Sequence, residues 1–110
     1  MDANIMKEGR TALVNFGYEL STIECIKRIG SVPPHVSEMM RRRAADAHAT
    51  RTALSRLESW EYFILDGLYI TGGPGCEEKI CEALGCGRDK IRRLADEALG
   101  SFCRYLFGTV

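Results

Sequence analysis

Fifteen basic side chains face fifteen acidic ones, so this chain of 110 residues has no net charge. Without a global positive field, a protein that coats nucleic acid by bulk attraction is excluded, whereas one directed at a particular site is not. Long apolar runs are missing too. The longest are short stretches such as Phe63-Ile64-Leu65, too short to cross a bilayer, so no membrane association is expected. Met1–Arg10 mixes charges and has none of the apolar character of a secretory signal, and a cytoplasmic location is expected. Histidine is scarce. His35 and His48 are the only two, and neither belongs to a spaced cluster with Cys, Asp or Glu, so no catalytic constellation, enzyme activity or cofactor is expected. The Gly72-Gly73-Pro74-Gly75 stretch lacks the Lys-Ser/Thr that completes a phosphate-binding loop, and no strand precedes it. Apolar–polar alternation of the β type is absent throughout, which leaves an all-α fold.

Cysteine is present but in an odd number. Cys25, Cys76, Cys81, Cys86 and Cys103 are expected to be free thiols in a reducing compartment rather than a disulfide frame. Cys76, Cys81 and Cys86 recur every five residues. Structural zinc favours pairs two to four residues apart, and a five-residue step on a helix turns the second side chain off the first one's face. We read all three as small packing residues, with no metal.

Charge is organised along the chain. Residues 1–34 balance, 35–57 carry +3, 58–86 carry −5 and 87–110 carry +2. Helical periodicity covers most of this length. Ile5, Leu13, Phe16 and Leu20 form a first apolar stripe, weakened by Gly9 and Gly17 at about 1 kcal/mol each. Ser21-Thr22-Ile23-Glu24 has the pattern of a capping box, and Ile23, Ile26 and Ile29 continue to Gly30, so one kinked helix or two are both possible. Val32-Pro33-Pro34 is the strongest break and separates an N-terminal helical segment, 1–34, from a helical domain, 35–110. Ser37 is the expected cap of the next helix, which runs to about Leu57 on a thin face of Met40, Ala44, Ala47 and Leu54. Such a helix can pack on a neighbour, bridge two parts or pair with a second copy, so a homodimer is one possible state. Ser59 is expected to cap a helix bearing Trp60, Phe63, Ile64, Leu65, Leu68 and Tyr69, with Trp60 and Tyr62 read as core. The stretch from Thr71 to Gly75 must be loop.

The most informative segment follows. A short helix with Ile80, Cys81 and Leu84 inward reaches Gly85, a residue suited to a left-handed turn. A second helix begins three residues later, and its inner positions, Ile91, Leu94, Ala95, Ala98, Leu99, Phe102 and Leu106, are all apolar. This is the layout of a C-terminal helix-turn-helix at about residues 76–99. In that motif the first turns of the second helix enter the major groove. Four of the six residues from Arg88 to Arg93 are cationic, and Asp96 and Glu97 come only afterwards. Candidate DNA-binding residues are Arg88, Asp89, Lys90, Arg92 and Arg93. Arg41, Arg42 and Arg43 are candidate accessory phosphate contacts.

The residues Leu54-x-x-Leu57, Trp60-Glu61-Tyr62-Phe63-Ile64-Leu65-x-x-Leu68-Tyr69, Lys79-Ile80-Cys81-x-x-Leu84-Gly85-Cys86-Gly87-x-x-Lys90-Ile91 and Ala98-Leu99 together resemble region 4 of bacterial RNA polymerase sigma factors. They are equally similar to the small phage transcription regulators of the ArpU/RinA type. The likeness spans about residues 54–106. It implies a recognition helix starting near Arg88, double-stranded DNA as partner and a role in transcription. This chain departs from the pattern with Cys81 for a small alanine, Cys86 for isoleucine or valine, and Gly87 for the serine cap. The part of a full sigma factor that melts promoters has no counterpart. A rival reading takes the same scaffold as a protein-binding inhibitor or adaptor, whose acidic stretch from Glu58 to Glu82 targets RNA polymerase or another nucleic-acid enzyme.

Overall fold

In the computed structural model the described residues are 2–30 and 34–108, with the side chains of 21–23, 25, 26, 29, 34–37 and 40 not described. The break at Val32-Pro33 and the side-chain expectations at Ile23, Cys25, Ile26, Ile29, His35 and Met40 lie outside the described residues. Among those described, the chain is all-α: α1 (Ala3–Ile29), α2 (Pro34–Ser55), α3 (Ser59–Leu65), a π-helical turn (Asp66–Ile70), α4 (Cys76–Leu84) and α5 (Arg88–Phe107).

The first helix settles the question left by its sequence. It is a single helix of 27 residues, about 40 Å long, and its backbone passes through Ser21 without the break a capping box requires. A cap is useful only where amide groups lose their helical partners, and nothing between Tyr18 and Ile29 interrupts them. Asp2 is the real cap, its Oδ1 accepting the Asn4 amide at 2.9 Å. Gly9 and Gly17 lie within the helix at close approaches to other elements, not at breaks. A Cβ on Gly17 would stand 2.6 Å from the Ile70 carbonyl oxygen.

The second helix begins at Pro34, not after Ser37. Proline suits a first helical position because its missing amide would have no partner there. The buried face of α2 also differs from expectation. Ala44 is exposed, and the inward stripe is Ala47, Thr50, Ala53 and Leu54. Three of the four are small, and α2 packs on both α1 and α5 through them.

Glu58, one residue before Ser59, caps α3. The Glu61 carboxylate accepts the Glu58 amide at 3.0 Å, completing a capping box, and Trp60 Nε1 donates to Glu58 Oε2 at 2.8 Å. Beyond Leu65 the backbone hydrogen bonds lengthen from a four-residue to a five-residue step, and the Thr71 amide bonds to the Asp66 carbonyl at 2.8 Å.

Two apolar clusters form the interior. The larger joins Leu13 and Phe16 of α1, Ala47, Ala53 and Leu54 of α2, Leu65 of α3, and Ala98, Leu99, Phe102 and Cys103 of α5. The smaller joins Ile64, Ile80, Ile91 and Ala95. Trp60 packs against both, whereas Tyr62 and Phe63, expected in the core, are exposed because α3 turns Ile64 and Leu65 inward instead. Every inner position expected of α5 is buried or half-buried, and Gly100 and Cys103 are buried beside them. Leu84 is the exception on α4: it is exposed, because the contact with α5 is made one turn earlier at Ile80.

Candidate nucleic-acid interface

Helix α4 ends in a tight reversal. Gly85 adopts φ +65°, its amide bonds to the Glu82 carbonyl at 3.4 Å, and the Cys86 amide bonds to the Cys81 carbonyl at 3.1 Å. This pair of bonds defines a Schellman ending, which turns the chain at once and favours glycine at the left-handed position. Gly87 is extended and offers no side-chain cap, and α5 starts at Arg88.

The first turns of α5 carry Arg88, Asp89, Lys90, Arg92 and Arg93 on the exposed side, as their positions between the apolar residues require. The structure adds partners for two of them. Arg88 pairs with Glu78, and Arg92 Nε donates to Glu77 Oε1 at 3.1 Å. These bridges link the start of α5 to the start of α4. Among the described residues Lys90 and Arg93 make no ion pair. Arg93 borders a shallow cavity of about 530 Å³ with Arg10, Asp96, Glu97 and Arg104. The sequence shows both Glu77 and Glu78, but their pairing with α5 depends on how two helices cross, for which spacing alone carries no signal.

The arginine triplet belongs to another part of the molecule. Arg41, Arg42 and Arg43 are all exposed, and Arg42 meets Glu38 of its own helix at 3.8 Å. The following turn of α2, with Asp46, Ala49 and Thr50, shares a cavity with Leu106 and Phe107 at the C-terminal end of α5. Arg88 to Arg93 lie at the opposite end of that helix, which is about 30 Å long. The two groups are therefore not brought together. The remaining cations of this segment are also dispersed: Arg51 lies over the Phe16 ring at 6.0 Å and Arg56 over the Tyr105 ring at 5.6 Å.

Between α1 and α2, partial burial and the nearby Asp46 carboxylate push the Glu19 carboxyl above its ordinary range, with Arg43 acting in the opposite direction. Burial raises the Tyr69 hydroxyl and the Cys103 thiol, and Arg10 lowers both. Among the described residues no group of three or more His, Cys, Asp or Glu is placed to hold a metal ion, and no helix is long and apolar enough to cross a membrane.

Compared with protein-family models, with curated proteins and with solved structures, the chain matches none of them significantly.

Proposed function

We propose that this protein is a sequence-specific DNA-binding transcription regulator that presents the first two turns of α5 to the major groove. The observation that carries this reading is the mounting of those turns. Four cations project from a helix whose inner face is fixed in both apolar clusters, directly after a left-handed glycine turn. A helix held this way can offer side chains to base edges without the loss of order a loop would suffer. The bridges to Glu77 and Glu78 do not defeat it. Arg88–Glu78 is solvent-exposed on both sides and Arg92–Glu77 on the arginine side, with Glu77 half-buried, and pairs open to solvent are worth about 0–1 kcal/mol. A bidentate contact to a guanine is worth roughly 1–3 kcal/mol, so DNA can recruit Arg88 and Arg92 from their carboxylates.

The same bridges favour one other reading. They place Glu77 and Glu78 beside the start of α5, and the segment 58–86 carries −5 with Glu61 alone of its acids buried, which suits a basic site on a nucleic-acid enzyme. Binding to DNA at two salt concentrations separates the readings. A regulator binds with an affinity that falls steeply as salt rises. If no salt-dependent binding appears above background, and a basic protein is retained through the acidic segment, the regulator reading is wrong.

A further inference from the structure

Cys81 and Cys86 are five positions apart, the same step as from Cys76 to Cys81, yet the fold treats the two intervals differently. Cys76 and Cys81 both belong to α4. Five helical residues place them about 7.5 Å apart along the axis alone, beyond the roughly 7 Å between Cα atoms that a disulfide can bridge. Between Cys81 and Cys86 the helix ends and the chain reverses at Gly85. The Cys86 amide bonds to the Cys81 carbonyl at 3.1 Å, and with standard bond lengths on either side that bond holds the two Cα atoms within about 7 Å. A Schellman ending frequently brings the side chains at these two positions together across the turn. Both thiols pack against the same Ile64–Ile80–Ile91 cluster, and the Cys86 thiol turns back to donate to the Leu84 carbonyl at 3.4 Å. Both are half-buried and so within reach of a small reagent, whereas Cys103 is fully enclosed.

We propose that Cys81 and Cys86 form a thiol–disulfide exchange site across the turn between α4 and α5. The co-reactant is a small-molecule disulfide such as oxidised glutathione. One cysteine thiolate attacks it, forms a mixed disulfide and releases one glutathione thiol. The second cysteine thiolate then attacks the protein sulfur of that mixed disulfide, closes the Cys81–Cys86 bond and releases the other. Two protein S–H bonds and one glutathione S–S bond are broken, and one protein S–S bond and two glutathione S–H bonds are formed. The cysteine pair loses two electrons and the glutathione disulfide gains them. The site does not depend on what α5 binds.

The equal spacing of the three cysteines supplies an internal control. Fully reduced wild-type protein is equilibrated with oxidised and reduced glutathione, once native and once in concentrated urea. Free thiols are then alkylated and the disulfides are mapped by peptide mass spectrometry. In urea the two five-residue intervals close at equal entropic cost, so Cys76–Cys81 and Cys81–Cys86 bonds should form in comparable amounts. In the native protein the Cys81–Cys86 bond should exceed the Cys76–Cys81 bond by about tenfold or more, because only the former meets the distance requirement. Dithiothreitol should reverse it. Cys81→Ser or Cys86→Ser should instead leave the remaining thiol as a stable mixed disulfide with glutathione. Equal native amounts of the two bonds would overturn the proposal. So would mixed disulfides persisting at both residues of the wild type, or a main product through Cys25 or Cys76.

Discussion

Gly9 of α1 lies directly against Cys103 of α5, so that a Cβ added to residue 9 would overlap the Cys103 sulfur. The two helices meet there at the distance only a bare backbone allows, and the Cys103 sulfur also lies 3.5 Å from the Ile5 carbonyl.

Gly9→Val should therefore destabilise the protein by about 1–3 kcal/mol, the usual cost of overpacking. Gly17→Ala should cost a similar amount, since its neighbour is the Ile70 carbonyl oxygen and backbone cannot rotate away. Gly100→Ala is the contrasting case: it is helical and buried, with nothing within 4 Å of the added carbon. That change should stabilise by about 0.5–1 kcal/mol through helix propensity and chain entropy. Urea unfolding of the three variants measures the order. A Gly17→Ala variant more stable than Gly100→Ala would show that the α1 contact is wrongly placed.

At the turn between α4 and α5, Gly85→Val should cost about 1–2 kcal/mol. The space around the position is open, so the penalty comes from the left-handed backbone alone. Gly85→Asn should cost less, because asparagine tolerates that conformation. Equal melting temperatures for the glycine and valine forms would refute the assignment.

Glu19 gives the fold a pH dependence of known sign. Its carboxyl is held above the ordinary range, by burial first and by Asp46 second, so the native state favours the protonated form more than the unfolded chain does. The associated stability is present at low pH and is lost as pH rises through the raised value. Glu19→Gln should raise Tm at pH 7 by up to about 3 °C. The difference should vanish below pH 4, where wild type is protonated as well. A variant less stable than wild type at pH 7 would contradict the placement of a half-buried Glu19 near the Asp46 carboxylate.

On the face of α5, two pairs of substitutions should separate. Lys90→Ala with Arg93→Ala removes cations that make no ion pair among the described residues, so stability should change by no more than about 0.5 kcal/mol. DNA affinity should fall, with a salt dependence shallower by about one unit for each phosphate no longer neutralised. Arg88→Ala with Arg92→Ala also breaks the bridges to Glu78 and Glu77. It should weaken DNA binding as well, at a further stability cost of about 1 kcal/mol or less. Unaltered affinity in both double variants would remove α5 from the interface.

The most regular elements were the easiest to read. The apolar positions of α5 recur from Ile91 to Leu106, and their burial follows from helical geometry. Gly85 was legible for the same reason, as the one residue suited to the reversal its neighbours demanded. Helix starts were harder. Ser21, Ser37 and Ser59 all have the chemistry of a cap, yet one lies in mid-helix, one a turn inside α2 and one just past Glu58. A hydroxyl caps only where the chain actually bends, and that is decided by packing at a distance. The π-helical turn shares its apolar pattern with an ordinary helix, so Asp66 to Ile70 gave no warning. For the candidate interface, the cations were visible and their carboxylate partners were not, because the crossing of α4 over α5 is a property of the assembled core.

Trp60 is the only tryptophan in the chain, and it stands where the two apolar clusters adjoin. Its indole nitrogen is tethered to Glu58 while its rings serve as a shared wall, so neither half of the interior can loosen without changing the polarity the ring experiences. The molecule thus carries its one indole fluorophore at the seam, and the indole can be excited apart from the four tyrosines. Its emission is a gauge of whether the half built on α1 and α2 and the half holding the turn of α4 and α5 come apart together or in succession.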